Sequence, residues 1–248
     1  MWGSGLITLL VMGPAGSGKT SFSHSFGKWL EGENYSVCYV NLDPGAELLP
    51  FIPSFDVREI VTTRAMMERG GLGPNGALIK AAEIIEENIG QILRKIKSFK
   101  ADYVIVDTPG QMEIFLFRKL GSIFCDGIEG RKACVFIMDP SSLPKKSDVI
   151  ALKLLNLVIE LRLGVPSLEL INKIDLFGNR ERAAFLEPLK YRQPEEGLRG
   201  ELASSILETV SKLEKKKRAV LISAITGEGF RVVLSSLGEL FCSCGDLT

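Results

Sequence analysis

The chain has 248 residues, 46% of them hydrophobic and 24% charged, a combination typical of a globular protein with a sizeable core. Thirty basic and thirty acidic residues cancel, which argues against a general attraction to nucleic acids or membrane surfaces. No apolar run approaches the ~20 residues that span a bilayer, and residues 1–5 contain none of the basic residues of a signal peptide. Five scattered cysteines do not resemble a disulfide framework, so we expect a cytoplasmic protein.

The first predicted elements enclose a glycine-rich turn. The apolar run 6–11 predicts a buried strand, and residues 21–30 have the apolar spacing of a helix. Between them the sequence matches G-x-x-x-x-G-K-[ST], in which backbone N–H groups and a helix N-terminus surround phosphate oxygens; a plain glycine turn is the alternative. Lys19 would reach the β- and γ-phosphates, and the Thr20 hydroxyl would bind Mg²⁺. The residues expected at the nucleotide are Gly13, Pro14, Ala15, Gly16, Ser17, Gly18, Lys19, Thr20 and Ser21.

A second predicted strand, 37–42, leads directly to Asp43. Ligands bind beyond the carboxyl ends of strands in open α/β sheets, and a carboxylate at this place could bind Mg²⁺ through water or orient an attacking water. A turn-forming Asp before Pro44 is the alternative interpretation.

Two helices are predicted after this strand. Residues 56–69 have helical spacing, 70–76 form a dense turn signal, and 77–96 predict a long amphipathic helix. From the residues alone, Gly73-Pro74-Asn75 is most simply a connection between the two helices.

A third predicted strand, 103–106, ends at Asp107-Thr108-Pro109-Gly110-Gln111, which fits D-x-x-G. In such a motif the aspartate holds Mg²⁺ through water, and the glycine N–H contacts the γ-phosphate, with Gln111 beside it. A loop tied to the γ-phosphate in this way relaxes after hydrolysis and acts as a switch.

The chain continues with alternating elements. We predict a helix over 113–124, a strand over 133–138, an amphipathic helix over 146–163 and a strand over 167–171. Residues 177–200 are predicted to be irregular or to form short helices. A helix over 201–214, a basic run over 215–218, a strand over 219–222 and a helix over 229–241 complete the pattern.

A nucleobase motif follows the strand 167–171: Asn172-Lys173-Ile174-Asp175, which fits N-K-x-D. The Asp175 carboxylate would accept hydrogen bonds from guanine N1–H and the 2-amino group, a pair that adenine does not offer. A buried carboxylate left unpaired by ATP would discriminate against it by several kcal/mol. Ser223-Ala224 follow the last strand, where the Ala224 N–H could bind guanine O6.

Alternation of strands and helices predicts an α/β fold, a doubly wound and largely parallel sheet flanked by helices. Cys242 and Cys244 are spaced to share a metal, but no second Cys or His pair accompanies them. His24 is the single histidine, so histidine chemistry is not expected.

The order of these motifs resembles that of P-loop GTPases. Within that group, Gly73-Pro74-Asn75 between two helices, with 41–44 (Asn-Leu-Asp-Pro) upstream, is similar to the GPN-loop GTPases over essentially the whole chain. The resemblance implies one P-loop GTPase domain over 1–248, with a helical insertion carrying the GPN loop at about 56–98. It also implies a compact, archaeal-type member, because eukaryotic members often have longer C-terminal tails.

In that family the enzymes are homodimers, and the GPN loop of one protomer enters the nucleotide site of the other. The resemblance therefore implies that Gly73, Pro74 and Asn75 act in trans, with Asn75 stabilising the phosphate during hydrolysis. Eukaryotic members act in RNA polymerase II assembly or nuclear import, so the resemblance implies protein partners in macromolecular assembly. From the balanced charge we expect no direct contact with nucleic acid or membrane.

The predicted activity is Mg²⁺-dependent hydrolysis of GTP, with Lys19, Asp43, Asn75, Asp107 and Gln111 as catalytic residues. Two alternatives stay open at this point. One is a nucleotide-gated binding module with negligible turnover. The other is a P-loop small-molecule kinase, against which the guanine motif argues.

Overall fold

The computed structural model describes residues 6–142, 145–179, 181–182, 197–213 and 219–245. Within these ranges seven strands form one sheet in the order β3-β2-β4-β1-β5-β6-β7, and all six pairings are parallel. The strands are β1 (Ile7–Met12), β2 (Val37–Asn41), β3 (Phe55–Asp56), β4 (Tyr103–Asp107), β5 (Arg131–Met138), β6 (Ser167–Ile171) and β7 (Val220–Leu221). The predicted parallel α/β sheet is therefore confirmed.

Helices cover both faces of the sheet. They are α1 (Lys19–Gly32), α2 (Thr63–Gly70), α3 (Pro74–Lys97), α4 (Met112–Phe117), α5 (Lys119–Gly127), α6 (Lys146–Leu163), α7 (Gly197–Leu213) and α8 (Phe230–Gly245). In this part of the chain no helix combines the length and the apolar composition needed to cross a bilayer.

The central strand β1 shows why the sheet is buried on both sides. All six of its residues are buried, and successive side chains point to opposite faces. Leu10 and Met12 pack in the cluster with α3, α5 and α6, whereas Leu9 and Val11 pack with the aromatic residues of α1 and α8. A parallel strand covered by helices on both faces reads as a continuous apolar run, which is the pattern of residues 6–11.

The helix predicted over 56–69 is wrong in its first half. Asp56 ends strand β3, and its carboxylate accepts the Arg58 N–H at 2.9 Å, which starts a single 3₁₀ turn over Val57–Glu59. Helix α2 begins only at Thr63, where the Thr62 hydroxyl accepts the Ala65 N–H. Side chains that bond to the nearby backbone compete with a continuous helix, and both do so here.

Other boundaries also differ from the prediction. The helix expected over 113–124 is two helices, because Arg118 adopts an extended conformation between α4 and α5. Helix α3 begins at Pro74 rather than 77, with Gly73 as its N-cap and proline at the first helical position, where its missing N–H costs nothing. The predicted connection therefore ends at Gly73. Helix α7 begins at Gly197 rather than 201, so the end of the stretch 177–200 is helical. Other parts of that stretch, and the basic run 215–218, lie outside the described residues.

Candidate functional site

The carboxyl ends of β1 and β4, with the residues that follow β2, β6 and β7, bring the predicted site together. The glycine-rich loop turns sharply after β1, with positive φ at Gly13 (150°), Gly16 (76°) and Gly18 (96°). A Cβ on Gly13 would lie 2.3 Å from the Ile137 carbonyl oxygen, and one on Gly18 would lie 2.4 Å from the Asn172 side-chain nitrogen. Glycine is therefore required here for both conformation and space. Ala15, Gly16 and Ser21 are exposed, as residues facing a ligand would be.

Lys19 is a buried cation inside this loop. Its Nζ donates hydrogen bonds to the carbonyl oxygens of Gly13 (3.0 Å) and Pro14 (3.1 Å). Burial lowers the pKa of Lys19, and the negative charges of Asp107 and Asp43 oppose that shift. The loop thus holds an ammonium group next to two carboxylates.

Thr20 and Asp107 meet although they are far apart in sequence. The Thr20 hydroxyl donates to Asp107 Oδ2 at 2.7 Å, while the buried Asp107 Oδ1 accepts no hydrogen bond from the described residues. Burial raises the pKa of Asp107 to about 6, against the opposing effects of the Thr20 hydroxyl and the Lys19 charge. A hydroxyl and a carboxylate with a free oxygen are hard oxygen donors, so these residues fit Mg²⁺.

Asp43 lies beside this pair. Its Oδ1 accepts the Gly45 N–H at 2.8 Å, which is the turn expected of an Asp before Pro-Gly. Its Oδ2 accepts the Gly110 N–H at 3.3 Å, so the same carboxylate reaches the D-x-x-G loop. The turn interpretation of Asp43 is therefore confirmed, and its role toward water or Mg²⁺ stays a prediction. Gln111, which precedes α4 as its N-cap residue, is exposed.

Asn172 joins the phosphate side of the site to the nucleobase side. Its amide nitrogen donates to the Ser17 carbonyl at 2.9 Å, and its Oδ1 accepts the Ala224 N–H at 2.9 Å. Asn172 is buried, as are Ser17, Ser223 and Ala224. The N–H that we predicted for guanine O6 donates to Asn172 in this structure. Asn172 is thus a brace between two loops.

Asp175 and Lys173 complete the nucleobase side. Asp175 Oδ1 is buried and accepts no hydrogen bond from the described residues, which leaves a carboxylate oxygen able to accept from a base. Lys173 has a left-handed backbone (φ 64°), and its Nζ donates to Asp139 Oδ2 at 2.6 Å. Sequence reasoning missed Asp139, although it ends a strand just as Asp43 does.

Gly73, Pro74 and Asn75 lie at the start of helix α3, and all three are exposed. The first intrahelical bond runs from the Ala77 N–H to the Gly73 carbonyl, and no side chain caps this helix start. An exposed helix N-terminus carries partial positive charge and attracts anions. No described contact places these three residues in the site of the same chain.

Comparisons with known proteins agree with this geometry. Residues 11–243 match the model of a family described as conserved hypothetical ATP binding protein. PAB0955, a GPN-loop GTPase of Pyrococcus abyssi, is 37% identical over 249 residues, 97% of this chain and 99% of the relative. The chain belongs to the GPN-loop GTPase family.

Further similarities support the same assignment to this family. The crystal structure of the apo form of PAB0955 has a TM-score of 0.87 at 36% identity, covering 96% of this chain and 98% of the other. GPN-loop GTPase 3 of Dictyostelium discoideum is 34% identical over 181 residues, 72% of this chain and 64% of the relative. The resemblance found in the sequence and the predicted enzyme class, a P-loop GTPase, are confirmed.

Proposed function

We propose that this chain hydrolyses GTP to GDP and phosphate with Mg²⁺, as a homodimer in which each protomer lends Asn75 to the other's site. The proposal rests chiefly on the 2.7 Å bond between the Thr20 hydroxyl and Asp107, which brings the glycine-rich loop and the D-x-x-G loop to one point. Beside that point are the Lys19 ammonium group and the Asp43 carboxylate. Phosphoryl transfer needs little more than positioning and charge stabilisation, and these residue types supply both.

Each side chain has a distinct task in this reaction. Lys19 neutralises charge on the β- and γ-phosphates, and the Gly110 N–H, which donates to Asp43 Oδ2 in this structure, would donate to the γ-phosphate once nucleotide is bound. Asp43 and Gln111 orient the attacking water. Thr20 and Asp107 would hold Mg²⁺, which when bound supplies positive charge to the phosphate oxygens. Asn75 of the partner would donate its carboxamide N–H to the phosphate.

The choice of GTP over ATP follows from Asp175. Its buried Oδ1 accepts no hydrogen bond from the described residues, so it is available to the donors on the guanine edge. Adenine would leave that oxygen unpaired, which costs about 1–3 kcal/mol for a neutral group and more for a charged one. A small-molecule kinase has no use for this carboxylate, so hydrolysis is the better interpretation.

The role in trans is tested by mixing two inactive variants. Lys19→Ala abolishes a protomer's own site but keeps its Asn75, whereas Asn75→Ala does the reverse. In a mixture, the heterodimer contains one complete site, so turnover should recover to about a quarter of wild type for random pairing. Exposed Asn75 makes no described side-chain contact, so Asn75→Ala should unfold at the wild-type temperature.

Three outcomes would contradict parts of this proposal. Wild-type turnover by Asn75→Ala alone would exclude its catalytic role, and an inactive mixture of variants that still pair would exclude the action in trans. Turnover of ATP as fast as GTP would exclude the role of Asp175. GTP and ATP hydrolysis are measured by phosphate release, and pairing by light scattering.

We also propose that hydrolysis resets a nucleotide-gated switch in the cytoplasm that assists macromolecular assembly. The bond from the Gly110 N–H to Asp43 Oδ2 supports this, because it joins two loops that would both respond to the γ-phosphate. Pull-downs that compare GDP with a non-hydrolysable GTP analogue test it. A partner set that is the same with both nucleotides would contradict it.

A further inference from the structure

The loop that carries Asp43 is held by a network of side chains outside the predicted site. Asn41, at the end of β2, is fully buried and bonds to both backbone polar groups of Asp43. Its Oδ1 accepts the Asp43 N–H at 3.0 Å, and its Nδ2 donates to the Asp43 carbonyl at 3.2 Å. The same Nδ2 donates to Asp56 Oδ1 at 2.9 Å. Asn41 therefore ties the Asp43 backbone to the neighbouring strand β3.

Arg58 closes this network from the other side of the loop. Its guanidinium pairs with both oxygens of Asp56, with Nη2 2.6 Å from Oδ2 and Nε 3.0 Å from each oxygen. Its third nitrogen, Nη1, donates to the carbonyls of Ala46 (3.0 Å) and Glu47 (3.2 Å). One planar group thus fixes a carboxylate and two loop carbonyls at once, which the single ammonium of lysine does not reproduce.

The two halves of the network hold the loop on both sides of its turn. Asn41 fixes Asp43 itself, Arg58 fixes Ala46 and Glu47, and Asp56 links the two. Between the fixed ends, the Ala46 N–H donates to the Asp43 carbonyl at 3.3 Å. Burial would raise the pKa of Asp56, but hydrogen bonds from Arg58 and Asn41 hold it below its ordinary value, so Asp56 stays charged.

We propose that Arg58 is a positioning residue for GTP hydrolysis, acting through the Ala46 and Glu47 carbonyls to set the place of the Asp43 carboxylate. This inference rests on the proposed function of Asp43. The Arg58 side chain is a quarter exposed, so its contribution is to loop geometry more than to burial. Misplacing a catalytic group by about 1 Å costs roughly 100-fold in rate.

The test compares Arg58→Lys and Arg58→Ala with Arg64→Ala. Arg64 is the matched control, because it touches the same loop only through an exposed pair with the Glu47 side chain at 3.6 Å. We expect both Arg58 variants to lower kcat for GTP by roughly 10- to 100-fold. GDP affinity should change less than about threefold, because the phosphate loop and Asp175 are untouched. Arg58→Lys keeps a cation beside Asp56 and guards against misfolding of the alanine variant.

A double-variant cycle separates positioning from a general structural role. If Arg58 acts through Asp43, Asp43→Ala with Arg58→Ala should turn over no more slowly than Asp43→Ala alone. If the fold-losses in turnover of the two single variants multiply in the double variant, the inference is overturned. Wild-type kcat in both single Arg58 variants would overturn it as well.

Hydrogen exchange of the amides at 45–47 gives a readout that is independent of catalysis. These amides should exchange faster in Arg58→Ala and Arg58→Lys than in Arg64→Ala. If wild-type protein fails to hydrolyse GTP, the proposed function is wrong, and exchange alone decides whether Arg58 positions the loop. Equal exchange in all three variants would overturn the positioning role.

Discussion

Asn172→Ala should destabilise the protein and weaken all nucleotide binding without changing the choice between GTP and ATP. N-K-x-D is usually treated as one base-reading motif, but here its first residue faces the protein. Asn172 bonds to the Ser17 carbonyl and to the Ala224 N–H, both at 2.9 Å, and all three residues are buried. The variant would leave one carbonyl and one N–H without these partners.

The magnitude follows from those two groups. A buried polar group that loses its partner costs about 1–3 kcal/mol, so with two such groups the free energy of unfolding should fall by roughly 2–6 kcal/mol. Because the brace fixes the phosphate loop relative to the loop of Ala224, affinities for GTP and ATP should fall together. Their ratio should stay within about threefold of wild type, since a shared loss cancels in a specificity ratio.

Asp175→Ala should give the opposite result. Its buried Oδ1 accepts no hydrogen bond from the described residues, so the free energy of unfolding should change by less than about 1 kcal/mol. The preference for GTP should fall by roughly 100-fold or more, because two charge-assisted hydrogen bonds to the base are lost.

The assay is urea unfolding together with competition of GTP and ATP against a fluorescent GDP. Asn156→Ala is the control, because Asn156 is also a fully buried amide but bonds to Glu169 in the packing of α6 on β6. Asn156→Ala should lower the free energy of unfolding, but the folded variant should bind GTP and ATP as tightly as wild type does. If Asn172→Ala keeps wild-type stability and loses affinity for GTP but not for ATP, Asn172 contacts the base and does not brace the two loops.

Three further predictions concern the phosphate side. Gly13→Ala should lower the free energy of unfolding by about 3 kcal/mol or more, because its Cβ would lie 2.3 Å from a backbone oxygen. Gly16→Ala should cost only about 1–2 kcal/mol for its positive φ, because no atom lies within 4 Å of the added Cβ. Urea unfolding measures both. In EDTA, the pKa of Asp107, raised from 3.8 to about 6 by burial, makes the folded state bind a proton more tightly than the unfolded chain. This stabilisation is fully present below pH 3.8 and is lost as pH rises through 6. It amounts to about 3 kcal/mol at 1.36 kcal/mol per pKa unit. The difference in free energy of unfolding between wild type and Asp107→Asn, followed across that pH range, should report it. Thr20→Val should lose Mg²⁺-dependent GTP turnover by roughly 100-fold or more while Thr20→Ser keeps most of it, because only serine retains the hydroxyl; equal activities would contradict a role in metal binding.

The sequence predicted the parts of the fold that depend on pattern. Apolar runs such as 6–11 and 167–171 specify parallel strands buried on both faces, and their order predicted a parallel sheet. The phosphate and base motifs were placed correctly at the carboxyl ends of the strands. Pattern alone missed the competition for backbone groups, since the Asp56 carboxylate accepts the Arg58 N–H and starts a 3₁₀ turn in the first half of the predicted helix 56–69.

The sequence also did not reveal contacts between residues that lie far apart in the chain. Nothing in N-K-x-D distinguishes a residue that faces the base from one that braces two loops, because the distinction depends on where Ser17 and Ala224 lie. Asp139 and Arg58 were missed for the same reason. Each is an ordinary charged residue in sequence, and it becomes informative only when Lys173 or the Ala46 carbonyl is found beside it.

The loop of Asp43 is connected to the GPN segment by contacts as well as by sequence. The Thr63 N–H, at the start of α2, donates to the Pro44 carbonyl at 2.9 Å, next to the turn that Arg58 holds. Helix α2 then runs to Gly71, whose left-handed conformation ends it just before Gly73. A rigid helix transmits a shift at one end to the other. The Asp43 carboxylate, proposed to orient water, therefore lies near one end of α2, and the Asn75 carboxamide, proposed to act in trans, lies near the other. Arg58→Ala should therefore lower turnover at its own site. In mixtures with Asn75→Ala, it should also lower turnover at the partner's site that its Asn75 completes, relative to the mixture of Lys19→Ala with Asn75→Ala.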